Sequence, residues 1–478
     1  MPSLFVDRPS PNQPSLDQPR VLFATAELSP VARVGGLGEA AAGLTAALER
    51  AGIDVEIVLP DYDNRSLADE TVEDLDVPEW VGAARARRGI DASGRAITVV
   101  TAPTIARPHP YLDPATGEGW IDNDHRFAAF CAGVAAITKT HRPDIVHLND
   151  WHTGLVAGML DAPPPIVLTI HTIAYQGTTS DVWLDRLGAR RDAFEWFGAT
   201  NPLAGAIALA DRVIAVSPTY AREIVTPELG VGLHLRLGAL GPRLVGIRNG
   251  IDTAIWDPSR DPHLAARYGA ASLAGKTDCR AALLDELGWN DDGVILIGMV
   301  TRLVAQKGVD LALDASRFLA EVPARLVVLG AGDRLLAERA RQYADLAPDR
   351  VAFVEGYDDA FGHRIFAGAD LFLMPSRFEP CGLAQMQAMA YGTVPVTTDV
   401  GGLHDTVIDD DRQRGRGNGF VSRSVDSAGI VDALHRAARA VKQPARRKAL
   451  QRRGMGTDWS WTHPAAEHIA LYGEMLTR

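Results

Sequence analysis

Residues 369–406 read ADLFLMPSRFEPCGLAQMQAMAYGTVPVTTDVGGLHDT, and the reading of this stretch decides the fold. Residues 369–374 are a short apolar run of the length of a buried strand. Pro375, Ser376 and Arg377 break it, and a helical pattern begins near Cys381, with Leu383, Met386 and Met389 on its apolar face. In an open parallel α/β sheet, the loop leaving the carboxyl end of a strand lines the ligand crevice. The first turn of the helix that follows has unpaired N–H groups and a partial positive charge, which attract phosphate. Gly382 lets a phosphate come close to the main chain, beside Cys381 and Leu383. Glu379 disfavours that phosphate and suits hydroxyl groups instead. A phosphate nest with a carboxylate beside it is what a sugar nucleotide needs. A lone glutamate at a helix start would do no more than balance the helix dipole.

The chain has 478 residues, enough for two or three domains with sizeable cores. A net charge of -12 argues against broad binding to nucleic acid or to an anionic membrane, so a phosphorylated substrate must be held by local cations. The three cysteines, Cys131, Cys279 and Cys381, have no paired spacing, which fits a reducing cytoplasm and gives no zinc motif. No apolar run is long enough to span a bilayer. Residues 1–19 contain five prolines and no apolar signal-peptide core, and are expected to be a disordered tail.

Outward from the central stretch, the pattern is strand and helix in alternation. RVLFATA at 20–26 is a strand, an Ala-rich helix runs to about Arg50, and 55–60 is the next strand. Gly35, Gly36 and Gly38 between them form a partial dinucleotide fingerprint, with Glu56 placed as an NAD ribose ligand. A nicotinamide dehydrogenase therefore stays open at this point. Strands at 144–148 and 166–170 end beside Asp150 and His171 respectively. His147, Asp150 and His152 have poor spacing for a metal, and no further Cys or His cluster supports one. Asp150 alone would read as a helix cap. The strand at 293–300 opens a second unit of the same kind, followed by Arg302 and Lys307, two cations in one short loop and suited to clamping a diphosphate. Strands at 326–330, 351–353 and 371–374 continue its parallel sheet.

PSRFEPCGL, continued by YGTVP at 391–395 and by Gly401, Gly402 and Leu403, resembles the signature of bacterial glycogen synthases and plant starch synthases. HLNDWHTGL at 147–155 is similar to HxxDWHxGL of that family, HTIAYQG at 171–177 to HNxxYQG, and RLVAQKG at 302–308 to RLxxQKG. Asn249 begins an NGxD segment, and Tyr111 ends a PHPY loop of the same kind. The family's Lys-Thr-Gly-Gly-Leu stands here as Arg33-Val34-Gly35-Gly36-Leu37, with Glu39 for Asp, Leu112 for His and Thr172 for Asn. Gln387 lies eight positions after Glu379, where many retaining transferases with other donors carry a second Glu.

The resemblance covers about 20–478 and implies an α/β protein of GT-B architecture, with two Rossmann-like domains facing across a deep cleft. The implied divisions are 20–250 for the acceptor-side domain, 251–458 for the nucleotide-sugar domain, and 459–478 for a helix crossing back to the first domain. The implied activity is transfer of glucose from ADP-glucose, or another nucleoside diphosphate glucose, to the 4-hydroxyl of an α-1,4-glucan with retention. No cofactor or divalent metal is implied. Glu379, His171, Asp150, Arg302 and Lys307 are the expected catalytic residues. Arg33, Gly35, Gly36, Tyr111, Asn249, Tyr357, Cys381, Gly382 and Leu383 are the expected substrate contacts, with Tyr357 against the base or ribose. The alternatives are a GT-B enzyme with another donor or acceptor, and a non-catalytic glucan-binding relative.

Overall fold

The computed structural model describes residues 19–477, so the expected tail lies, up to residue 18, outside the described residues. The chain divides into two units. One takes residues up to Ile214, Val231–Leu244 and the segment from His463, and the other takes Ala215–Gly230 and Val245–Thr462.

In chain order the first sheet has strands β1 Arg20–Ala24, β2 Asp54–Pro60, β3 Ala68–Asp74, β4 Arg85–Ile90, β5 Ala96–Thr101, β6 Ile145–Asn149 and β7 Ile166–Ile170. After the small hairpin β8 Glu195–Trp196 and β9 Ala199–Thr200 come β10 Arg212–Ala215 and β11 Leu244–Gly246. The spatial order is β11-β10-β7-β6-β1-β2-β5-β4-β3. β1 lies between β2 and β6, parallel to both. β6 and β7 are buried at every position, which is why they read as continuous apolar runs. At the far edge β4 runs antiparallel to β5, and β3 antiparallel to β4. That ribbon went unread in the sequence because β3, ADETVED, has almost no buried face to set a pattern.

The second sheet has β12 Ile295–Val300, β13 Ala324–Gly330, β14 Val351–Glu355, β15 Leu371–Met374, β16 Val394–Thr397 and β17 Phe420–Val421. Its order is β14-β13-β12-β15-β16-β17, with every pair parallel. Ile297, Val328, Leu373, Val396 and Phe420 sit in one core beneath the helix Ser427–Val441.

Each sheet has a switch point between parallel strands where the strand order reverses, between β1 and β6 in the first and between β12 and β15 in the second. Ligands of open α/β sheets bind outside the strand ends at such a switch point. The loops after β1 and β6, and those after β12 and β15, are therefore where chemistry is to be sought.

The terminal helix Thr462–Leu476 belongs almost wholly to the first unit and buries Tyr472 completely. Its tyrosine oxygen lies 2.6 Å from His147 Nδ1 on β6, and the His468 ring stacks on that of His147. A single passage near Gly250 was expected, whereas the chain enters the second unit first at Ala215. The reason lies in residues 217–219. Ser217 Oγ donates to the Pro380 carbonyl at 2.6 Å, and Asp405 takes both the amide and the hydroxyl of Thr219 at 2.8 and 2.6 Å.

Candidate active site

In the second unit, the loops after β12 and β15 are locked together through the main chain. Gly308 adopts φ 64°, and a Cβ there would stand 2.0 Å from the Pro375 carbonyl oxygen, so only glycine permits this approach. The Arg377 amide donates to the Gln306 carbonyl at 2.8 Å, and the Arg377 guanidinium grips Asp310 at 2.8 and 2.6 Å. Arg377 is thus occupied in holding the loop.

This packing sets Lys307 Nζ 2.6 Å from Glu379 Oε2, a carboxylate that is 4% exposed and also accepts from Ser376 Oγ at 3.0 Å. Behind it, the Gly402 amide donates to the Glu379 carbonyl at 2.9 Å. A Cβ on Gly401 would meet that carbonyl at 1.9 Å, and one on Gly402 would meet the Cys381 carbonyl at 2.0 Å. The two glycines of the signature are therefore the wall on which Glu379 rests. Arg302 lies in the same loop as Lys307, at the end of β12, and its guanidinium has no ion pair among the described residues.

The helix after Glu379 is Ala384–Ala390 and not the longer one expected from Cys381. Gly382 has φ 73°, outside the helical region, and Gln385 Nε2 turns back to the carbonyls of Cys381 and Gly382. Cys381, Gly382 and Leu383 are thus a pinned turn and not a helical first turn. Cys381 is buried, its sulfur accepts from the Asn249 amide, and burial pushes its thiol up to about 12, so it stays neutral. Asn249 is itself buried, while Tyr357, past the end of β14, is 74% exposed with its ring face open.

In the first unit the loop after β1 is organised by Glu27, a buried carboxylate absent from the expected set. Its Oε2 accepts the amides of Val34 and Gly35, both at 2.8 Å, and its Oε1 accepts the Tyr111 hydroxyl at 2.8 Å. One side chain therefore fixes Gly35, the start of the helix Gly36–Arg50, and Tyr111. Burial raises the Tyr111 hydroxyl well above its ordinary range, the charge of Glu27 adding to the effect. Arg33 pairs with Glu39 at 2.9 Å, so two departures from the family pattern face each other.

After β6, Asp150 is buried at φ 55°, a conformation that costs a non-glycine residue about 1–3 kcal/mol. Its Oδ1 accepts the amides of His171 at 2.7 Å and Thr172 at 3.3 Å, joining the ends of β6 and β7. Burial pushes the Asp150 carboxyl up to about 7. Asn149 Nδ2 donates to the Ala24 carbonyl, so its oxygen faces His171 Nε2 at 2.9 Å. His171 therefore carries its proton on Nε2 and leaves Nδ1 as an acceptor. Burial lowers its pKa to about 3, so the ring is neutral.

Two of the sequence readings end here. Glu56 is engaged by Arg88, Thr98 and His141, and cannot serve a ribose. The nitrogens of His147 are taken by Tyr472 and Thr169, and neither points to a metal.

A family model described as "Starch synthase catalytic domain" matches residues 20–238, and one described as "Glycosyl transferases group 1" matches 285–454. Glycogen synthase 1 of Methylococcus capsulatus is 39% identical over 96% of this chain and 97% of its own length. Glycogen synthase of Aromatoleum aromaticum is 40% identical over 95% of this chain and 97% of its own. The chain belongs to the glycogen synthase family. The catalytic domain of starch synthase IV from Arabidopsis thaliana, solved with ADP and acarbose, superposes with a TM-score of 0.85 at 34% identity, covering 96% of this chain and 100% of that one. Sucrose-phosphate synthase from Thermosynechococcus elongatus, at 19% identity and a TM-score of 0.62, shares the fold. This member of the glycogen synthase family is thus a GT-B hexosyltransferase. No helix among the described residues is long and apolar enough to cross a membrane.

Proposed function

We propose that the protein transfers glucose from ADP-glucose to the non-reducing 4-hydroxyl of an α-1,4-glucan with retention of configuration, in the cytoplasm. The observation that carries this reading is the Lys307–Glu379 pair at 2.6 Å, set at the switch point of the second sheet. It puts a cation for phosphate and a carboxylate for sugar hydroxyls side by side. Arg302, Lys307 and Arg33 stabilise the diphosphate as the glycosidic C–O bond breaks. The acceptor oxygen attacks the face the diphosphate leaves, and the departing phosphate oxygen takes the acceptor proton. Glu379 accepts hydrogen bonds from the sugar and stabilises the cationic ring without bonding to it. His171 offers its Nδ1 lone pair to a hexose hydroxyl, and Asp150 holds the His171 main chain. Asn249, Cys381, Gly382 and Leu383 form a turn that contacts the donor, Gly35 and Gly36 are further donor contacts, and Tyr357 presents a ring to adenine. Starch synthase IV, described as bound to ADP and acarbose, favours the adenine donor.

The test offers ADP-, UDP- and GDP-glucose separately with glycogen and counts the diphosphate released. ADP-glucose is expected to be the best donor. Glycogen binding with no diphosphate from any donor would leave a non-catalytic glucan binder instead.

A further inference from the structure

The hairpin β8–β9 turns through Phe197 and Gly198, at φ 51° and 80°. Positive φ at both central positions marks a turn that strongly favours Asn or Gly at the first. Phe197 is an unfavourable occupant, yet it is 90% exposed and gains almost no burial in return. A second strained turn lies beside it. Val231 and Gly232 have φ 45° and 84°, and a Cβ on Gly232 would lie 3.8 Å from the Trp196 ring. Val231 is β-branched, for which this conformation is a true outlier, and it is 51% exposed. One turn further on, Leu235 is 76% exposed. Two adjacent turns thus each hold an apolar side chain outward from a backbone that disfavours it. Such strain concentrates where ligands are held.

Ring contacts and hydrogen bonds tie the surface together. The Phe197 ring packs edge-on against Trp196 at 5.1 Å, and the Arg236 guanidinium covers Trp196 at 4.8 Å. That guanidinium donates to the carbonyls of Ala193, Ala204 and Glu195, so its donors are spent internally. Glu195 Oε1 receives the Gly198 amide at 2.8 Å. Gln176 Nε2 donates to the Val231 carbonyl at 2.8 Å, and its Oε1 accepts from Asn201. Gln176 belongs to the segment that begins at His171, so the surface is tied directly to a candidate active-site loop.

We propose that Trp196, Phe197, Val231 and Leu235 form a docking platform for the α-glucan chain, separate from the residues that carry the transfer. A neutral polymer with apolar C–H faces suits a platform of exposed apolar side chains, and pyranose faces pack on aromatic rings as bases do. The platform rests on the reading of a glucan acceptor given above. Its role is to hold long acceptors near the site, so short oligosaccharides should not need it.

The full-length Phe197→Asn variant tests this, because Asn accepts positive φ and removes the ring without straining the turn. It is expected to melt no lower than the parent. In native gels containing glycogen its retardation should fall by about fivefold, with a matching rise in KM for glycogen, while its rate on maltotriose stays unchanged. Leu235→Ser should act in the same direction. Parental retardation by glycogen in both variants overturns the proposal, as does an equal fall on glycogen and maltotriose. Loss of a dimer in sedimentation with glycogen retardation intact would make the surface a contact between copies, and also overturns it. The gel measures binding without turnover, so lost retardation in a protein that releases no diphosphate would support the platform while refuting the transferase reading.

Discussion

Tyr111 donates its hydroxyl to Glu27 Oε1 at 2.8 Å, and the other oxygen of that carboxylate holds the amides of Val34 and Gly35. Two loops that are far apart in sequence are held in register by a single side chain. Glu27→Gln can keep three hydrogen bonds by accepting both amides and donating to Tyr111, whereas Glu27→Ala leaves buried donors unpaired. Each unpaired group costs about 1–3 kcal/mol. Steady-state kinetics should show donor KM raised about tenfold or more in the alanine variant and largely rescued in the glutamine variant. Unchanged donor KM in a folded Glu27→Ala protein would refute a role for this register in donor binding.

Glu379 is buried and Lys307 only partly so, and removing Lys307 strands a buried carboxylate. Lys307→Ala should lower stability by about 3–5 kcal/mol in denaturant titrations, and Glu379→Ala by less. Glu379→Gln, which leaves Lys307 a hydrogen-bond acceptor, is the milder probe of chemistry. Its turnover should fall about 100-fold or more with the fold retained. Near-parental turnover would remove Glu379 from the catalytic set.

Asp150 should set a bend in the pH profile. Its carboxyl is pushed up to about 7 by burial, and its ionised form is the better acceptor for the His171 and Thr172 amides. The value of kcat/KM is expected to fall below neutrality, and Asp150→Asn should abolish that limb. The effect on stability has the opposite sign. Since the folded pKa lies above the unfolded one, Asp150 favours folding at low pH, and that contribution is lost as pH rises through about 7.

Burial holds His152 and His171 at about 3, His468 at about 4 and His147 well below its ordinary value. The unfolded chain protonates all of them below about 6.5, so stability is full above that pH and declines as pH falls towards 4. Each contributes about 1.4 kcal/mol per pH unit, and Asp150 offsets one, giving a net slope near 4 kcal/mol per unit, on the order of the whole stability within two units. His152 Nδ1 has no hydrogen-bond partner among the described residues, and its ring lies among Tyr111, Phe127 and Trp151. His152→Phe should reduce the slope by one proton in urea midpoints measured at pH 7 and pH 5. An unchanged slope would place the acid sensitivity elsewhere.

Lys307 and Glu379 were legible because each follows an apolar strand and because RLVAQKG and PSRFEPCGL around them resemble the family's segments; the strand ends alone left a bland reading open for Glu379. Glu27 escaped notice although it also follows a strand. Its partners are backbone amides and one distant tyrosine, and no residue type in the chain announces such bonds. The helix after Glu379 was begun too early because Gly382 reads as permissive, while only coordinates show its left-handed turn. Residues 217–219 closely follow the strand β10 of the first sheet, and nothing in their own sequence sets them apart from it. Their allegiance to the second unit depends on Pro380 and Asp405, which lie too far along the chain for local patterning to register.

The segment from His463, whose Tyr472 and His468 touch His147, follows the whole of the second unit in the chain, yet it completes the first. The amino-terminal lobe must therefore wait, lacking this helix, until the residues after Thr462 have emerged, whereas the other lobe already has all its parts. A nascent chain halted at Thr462 should resist protease in the later lobe and yield in the earlier one.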